Sequence, residues 1–318
     1  MESSNRELSL HDVTEMLSPS VCAEVIAKFT VTERVTTLST PLFERLQRKS
    51  NDIMEILRST SNDWNETLYI VLLRFVCGTH NATAAERLAR TVTNRMVMRE
   101  NSSLEQIEAL LLGGAGLLDI YGDDSYIRHL RSEFEHLRAK YDITPLAPSE
   151  WQLTGMYIHN HPVLRIAQLA ACLNQSSITL HAILDCYKRN DVLSLFSGKA
   201  SPYWIDNFLP GSHPIVSRRI GSFKSDILGI NLVIPMMFAY GTFTNSTDII
   251  SRAVELLEDI PAESNRYMKE WQGNGYMPFN AFESQALLQL SKVYCEPKRC
   301  CDCPLANHIY HAYAKDRR

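Results

Sequence analysis

The sequence predicts an all-α protein, two packed multi-helix halves closed by a C-terminal cysteine knuckle, and three observations carry that reading. Apolar residues recur at helical spacing, as in Leu42, Leu46, Ile53, Ile56 and Leu57. Capping residues stand where such runs begin: Asp63 has Glu66 three residues on, and Ser103 precedes Leu104. Finally, four of the eight cysteines, Cys295, Cys300, Cys301 and Cys303, fall within nine residues.

A chain of 318 residues with 45% hydrophobic content can build a sizeable core. Charged residues make up 21% and the net charge is −4, so nothing in the overall balance points to a polyanion partner. Met1 is followed by polar residues, and no window approaches the roughly 18 uninterrupted apolar residues of a membrane span. A cytoplasmic protein without a membrane partner is the expectation. Cys22, Cys77, Cys172 and Cys186 are scattered singly, as reduced core cysteines are, whereas a disulfide framework would distribute them differently.

Residues 1–40 are polar and rich in Ser and Thr, with weak strand-like alternation over 30–37, and read as a poorly structured N-terminal tail or remnant. The first helical half is assigned to 41–145. It starts at Pro41, suited to a first helical turn, and continues with a helix from Asp63 to a stop at Gly78, another over 83–98, a buried one after Ser103 and a charged amphipathic one to about residue 140. Gly113-Gly-Ala-Gly116 serves close helix packing, because no strand precedes it and no Lys-Ser/Thr follows, as a phosphate loop requires. Pro145 and Pro148 mark the boundary. The second half, 146–318, has helices near 163–173 and 180–196, then a long loop over 198–222 with an aromatic knot at Tyr203-Trp204 that is functional or draped on the core. After it come a buried helix over 226–240 kinked at Pro235, one capped by Thr247, one after Pro261, and one over 281–294 that delivers the chain into the cysteines.

Gln106-Ile-Glu-Ala-Leu-Leu-Leu-Gly-Gly-Ala-Gly-Leu-Leu, Arg165-Ile-Ala-Gln-Leu-Ala, Asn231-Leu-Val-Ile-Pro-Met-Met-Phe-Ala-Tyr-Gly, Pro261-Ala-Glu-Ser-Asn and Ser284-Gln-Ala-Leu-Leu-Gln-Leu-Ser-Lys-Val-Tyr-Cys occur in this order. Together they resemble an uncharacterised bacterial family, domain of unknown function 2851, over about residues 40–305. The resemblance implies longer relatives with an N-terminal part similar to restriction-endonuclease-like nucleases. Nothing in residues 1–40 supplies such a part, so nuclease chemistry is not expected of this chain alone. The sequence also departs from the family at Tyr157-Ile-His-Asn-His-Pro162, where relatives tend to have Arg-Pro-x-Asn-Phe-Pro.

Cys295-x4-Cys300-x2-Cys303 puts three thiolates on one turn, a spacing that suits tetrahedral Zn²⁺ or a [4Fe–4S] cluster once a fourth ligand arrives, and His308 is the candidate. The segment also looks like the iron–sulfur loop of the endonuclease-three-type and adenine DNA glycosylases, although Ile309 stands where those have their last Cys. Reduced cysteines without metal are the competing reading. His159 and His161 beside Pro162 read as packing residues. Arg165 on an apolar helix needs a carboxylate or a bound anion; a structural ion pair with Glu263 or Glu108 is the first reading, substrate or nucleic-acid contact the second. Glu263 and Asn265 stand at a helix start, where capping alone demands them, with a polar site as the alternative.

The functional reading is a helical, metal-stabilised binding module holding Zn or a [4Fe–4S] cluster, linked to nucleic-acid metabolism through its longer relatives. Residues 292–318 carry six basic residues against three acidic ones, so Lys298 and Arg299 head the only polyanion surface the sequence offers. The competing classes are a protein-interaction scaffold with no metal and an enzyme with a site near Arg165 and Glu263. The two are separated by whether buried, mutually paired ionisable groups surround Arg165.

Overall fold

A computed structural model of the chain describes residues 17–175 and 177–315. It divides into two compact units, one formed by Met1–Lys49 with Leu257–Arg318 and the other by Ser50–Leu256. Among the described residues there is no strand, only isolated bridges at Leu209–Ser212 and Pro261–Asn280.

In chain order, the first unit opens with α1 (Pro19–Lys28) and α2 (Val31–Ser59), whose last turns belong to the second unit. The second unit holds α3 (Trp64–Val76), α4 (Ala82–Thr91), α5 (Asn94–Arg99), α6 (Leu104–Gly114), α7 (Ser125–Tyr141) and α8 (Pro162–Asn174). It continues with the short α9 (Leu180–Leu184), α10 (Arg189–Leu195) and α11 (Ser222–Leu228), then α12 (Ile234–Thr244) and most of α13 (Thr247–Asp259). The chain then returns to the first unit with α14 (Arg266–Gly273), α15 (Ala281–Gln289) and α16 (Pro304–Lys315).

The second unit is built around α6 and α8, which pack on each other and are apolar almost all round. Such helices have no solvent face to keep and must sit inside. α7 packs on α6, and α4 on α3. Gly113 and Gly114 make these contacts possible: a Cβ on Gly113 would lie 2.2 Å from the Phe134 ring, and one on Gly114 would lie 2.5 Å from Val92. The glycines therefore serve packing. The 198–221 loop is draped on this core, with Trp204 and Phe208 fully buried and the Tyr121 hydroxyl donating to the Phe208 carbonyl.

Pro145 and Pro148 do not separate two units. Residues 146–151 are strapped to the α6 end, where Leu146 N–H donates to Gly114 O at 2.9 Å and Trp151 Nε1 donates to Ala115 O at 2.9 Å. In place of the kink expected at Pro235 there is a π turn, Gly229–Val233, within the helical run and immediately before the turn of α12 that holds Pro235. Ser222–Thr244 is apolar and long enough to cross a membrane by composition, yet 67% of its most apolar window is buried inside the protein, as in a core helix.

In the first unit the central element is α15, every residue of which is buried. Its polar residues meet partners on the part of α2 that belongs to this unit. Arg34 pairs with Glu283 at 3.0 Å, Arg45 Nε donates to Gln285 Oε1 at 2.7 Å, and Gln289 Nε2 donates to Glu44 at 3.1 Å. Glu44 also accepts from the Tyr294 hydroxyl at 2.7 Å. α1 packs against α14 and α16.

These contacts correct the reading of the N-terminal segment. Residues 1–16 lie outside the described residues, but 19–28 and 31–40 are helical rather than a tail. Ser18 accepts from Val21 N–H with Pro19 in the first turn, and Ala23 and Ile26 are fully buried. The alternation over 30–37 is the start of α2, in which Leu38, Leu42 and Leu46 form one buried stripe, and Pro41 sits inside the helix rather than at its start. Ile26→Ala is therefore expected to lower unfolding stability by about 2–5 kcal/mol. Urea denaturation measures it, and an unchanged midpoint would mean that α1 contributes nothing to the core.

Candidate functional site

The cysteine segment is shaped by the end of α15. That helix runs on through a π turn, Leu290–Cys295, which widens the last turn and brings Cys295 to the lip of a cavity. Lys298 then adopts a left-handed conformation, φ +56°, which reverses the chain so that Arg299 N–H reaches Tyr294 O at 2.7 Å. Cys300–Asp302 form one 3₁₀ turn, and Cys303 precedes α16, where it accepts from the backbone N–H groups of Leu305 and Ala306. Those donors favour a thiolate at a helix start.

Cys22, on α1, faces the same cavity. The cavity has a volume of about 670 Å³ and is lined by Cys22, Cys295, Cys300 and Cys301 together with Tyr267 and Trp271. Burial, and then the neighbouring Cys303, Cys295 and Cys300, push the Cys22 thiol up to about 12. Cys295, exposed as a residue but with its side chain on the cavity, is pushed up to about 12 by desolvation and then by Cys303 and Cys300. Cys303 is buried and likewise raised, chiefly by desolvation. Four sulfurs from opposite ends of the chain thus lie within electrostatic range of one another. Without a positive charge among them, Cys22, Cys295 and Cys303 stay protonated. Among the described residues, no group of three or more His, Cys, Asp or Glu side chains is arranged to hold a metal ion as it stands.

His308 has other company. Its Nδ1 pairs with the Thr37 hydroxyl at 3.1 Å, and its ring lies 4.8 Å from that of Phe29. Arg299 is committed to Asp302, at 3.0 Å, while Lys298 lines the cavity. Of the other basic residues that suggested a polyanion surface, Arg317 and Arg318 lie outside the described residues. Asn265 caps α14, accepting from Met268 N–H at 3.1 Å. Glu263 accepts from Gln285 Nε2 at 2.7 Å and favours the charged forms of Arg45 and Lys49, against the burial that pushes the pKa of both down.

The second unit contains the remaining candidates. The ion pair anticipated for Arg165 is not formed: its guanidinium bonds to Gln168 Oε1 at 3.0 Å and Asn160 Oδ1 at 3.2 Å. Glu108 is engaged elsewhere, because its side chain is fully buried and accepts from Tyr126 at 2.5 Å, the Ser201 hydroxyl at 2.7 Å and Trp204 Nε1 at 2.9 Å. His161 is buried beside the Phe208 ring, and desolvation pushes it down to about 4.

Sequence reasoning missed Cys22 and the Glu108 network. For Cys22 the available signal was the Ser18-Pro19 helix start followed by Ala23 and Ile26 on one face; for Glu108 it was a lone acid in an apolar helix, which requires several donors.

An all-α protein with one unit closed around a four-thiol cavity is the class that fold and site define. The chain belongs to the family described as Protein of unknown function (DUF2851), whose model matches residues 5–266. The matched range includes the segment read as a tail and stops short of Cys295, so it begins and ends earlier than the resemblance read from the motifs. No curated protein matches the chain, and no solved structure does.

The buried His161 makes a pH prediction. Its protonation is held below that of an unfolded histidine, so between about pH 6.5 and 4 the unfolded chain binds the extra proton and stability falls as pH falls. His161→Phe is expected to flatten this loss by up to about 1 kcal/mol per pH unit, read from urea midpoints across that window. An identical slope in the variant would show that His161 is not the group responsible.

Proposed function

We propose that the chain is a helical binding module whose first unit is closed by a metal centre held by Cys22, Cys295, Cys300 and Cys303. The observation that carries this reading is the meeting of Cys22, on α1, with Cys295 and Cys300 around one cavity, with Cys303 within electrostatic range of both Cys22 and Cys295. A thiol alone packs as a small apolar side chain, but four gathered from opposite ends of a chain make a soft donor set that selects zinc or an iron–sulfur cluster over hard cations. Both Zn²⁺ and [4Fe–4S] accept four thiolates. Either supplies the positive charge that the desolvated thiols require before they release their protons, so binding is coupled to proton release and to closure of the unit. The ligand set differs from the one expected from sequence only in its fourth member, where Cys22 replaces His308.

The Zn²⁺ or cluster would tie α1 to the knuckle, with Tyr267 and Trp271 forming an aromatic wall beside it. This favours a stabilised binding surface over a bare scaffold. An enzyme site joining Arg165 to Glu263 has no support, since Glu263 is bonded to Gln285 while Arg165 is bonded to Gln168 and Asn160.

Anaerobic purification of untagged protein followed by elemental analysis tests the proposal. The expected result is iron or zinc near stoichiometry, iron being accompanied by broad absorbance at about 400 nm. Cys22→Ser and Cys303→Ser should lose the metal, whereas Cys301→Ser and His308→Ala should retain it. A metal-free wild-type protein, or metal that survives Cys22→Ser and is lost in His308→Ala, would overturn the assignment.

A further inference from the structure

The second unit carries buried positive charge with no negative charge opposite it. Arg165 is 6% exposed, on the helix that forms the middle of that unit's core. Its two terminal nitrogens bond to neutral amide oxygens, and its Nε–H has no partner at all. Among the described residues no carboxylate lies within ion-pair distance of it. The arrangement is held firmly, because Gln168 is itself pinned by donation to the carbonyls of Ser217 and Arg219, at 2.9 and 3.1 Å.

A second cation stands near it. Lys224 on α11 donates to the Phe75 carbonyl at 2.8 Å and makes no ion pair among the described residues. Burial, and next the Arg165 charge, push it down to about 8, and the Cys77 thiol interacts with both cations. His161, four residues before Arg165, is 3% exposed and has an unpartnered Nδ1.

A buried guanidinium is ordinarily matched by a carboxylate, because an uncompensated charge in a low-dielectric interior is strongly unfavourable. Here the Arg165 charge depresses Lys224 and two buried nitrogens lack partners, while Glu108, the acid expected from the sequence as a possible partner of Arg165, is fully engaged by Tyr126, Ser201 and Trp204. What is missing from the set is an anion with several acceptor oxygens. We propose that Arg165, Lys224 and His161 form a binding site for a phosphate group, with Asn160 and Gln168 orienting the guanidinium. A dianionic phosphate matches the two positive charges, and its oxygens accept from guanidinium and ammonium in the strong, charge-assisted manner that a neutral ligand or water does not reproduce. Asn160, whose Oδ1 accepts from the guanidinium, is exposed, so the set begins one residue from the surface. This site lies wholly within the second unit, shares no residue with the thiol centre and stands or falls independently of it.

The test uses the full chain in phosphate-free buffer, titrated calorimetrically with inorganic phosphate and separately with glycerol phosphate, and with chloride at matched ionic strength as control. Thermal melts are recorded in parallel. Saturable binding of phosphate or its ester, accompanied by a rise in melting temperature that chloride does not produce, is the expected result. Binding should weaken at least about tenfold in Arg165→Met and in Lys224→Met, and remain unchanged in Arg299→Met in the other unit. Preference for the ester would identify the phosphate as part of a larger ligand, and equal affinity would identify the free ion; both support the site. If Arg165→Met fails to fold, Lys224→Met decides. No saturable binding by the wild-type chain, or equal binding by wild type and Lys224→Met, would overturn the proposal.

Discussion

The first unit depends on the matching of polar groups between α15 and α2. A helix buried on all sides that carries Glu283, Gln285 and Gln289 is untenable by itself, since each would enter the interior with unmet hydrogen bonds. Arg34, Arg45 and Glu44 meet most of these from more than two hundred positions earlier in the chain, with Gln289 Oε1 left without a partner. This specific pairing fixes the register of α2 on α15, because a shift by one turn would leave several partners orphaned together. With α2 set, α1 follows across α14 and α16, and Cys22 comes to the cavity that the knuckle lines. The thiol centre is thus a consequence of how the two ends of the chain are joined.

The second unit shows two contrasting solutions to burying a charge. Glu108 is surrounded by donors: a tyrosine, a serine hydroxyl and its backbone, and an indole. Burial pushes the pKa of its carboxyl up, but every oxygen is engaged, so the residue acts as a fastener that holds the 198–221 loop to α6. Arg165 has amides for company and an N–H with none. The first pattern is complete in itself. The second is complete only with something added, and that difference separates a structural group from a binding group here.

The helices were legible where local chemistry decides them. Asp63 and Ser103 cap as their positions imply, and the glycines after Leu112 serve packing. What sequence reading missed is decided by distant partners. The threonine-rich stretch before Pro41 has β-branched residues at alternating positions, and only the buried stripe through Leu38, Leu42 and Leu46 shows that it is helical. The boundary placed at Pro145 and Pro148 failed because proline reports on backbone conformation, whereas the unit boundary depends on which segments pack together. Three of the four proposed thiol ligands are local and could be read from their spacing. The fourth is not, since Cys22 reaches the knuckle only through the packing of α1, whereas spacing alone points to the nearby His308.

X-ray absorption at the edge of the metal that the purified protein carries bears most directly on this account. It predicts a first coordination shell of four sulfur scatterers with no imidazole contribution, changing to three sulfurs and one lighter atom, or losing the metal altogether, in Cys22→Ser. A shell of three sulfurs and one histidine nitrogen in the wild-type protein, unaltered by Cys22→Ser, would contradict it.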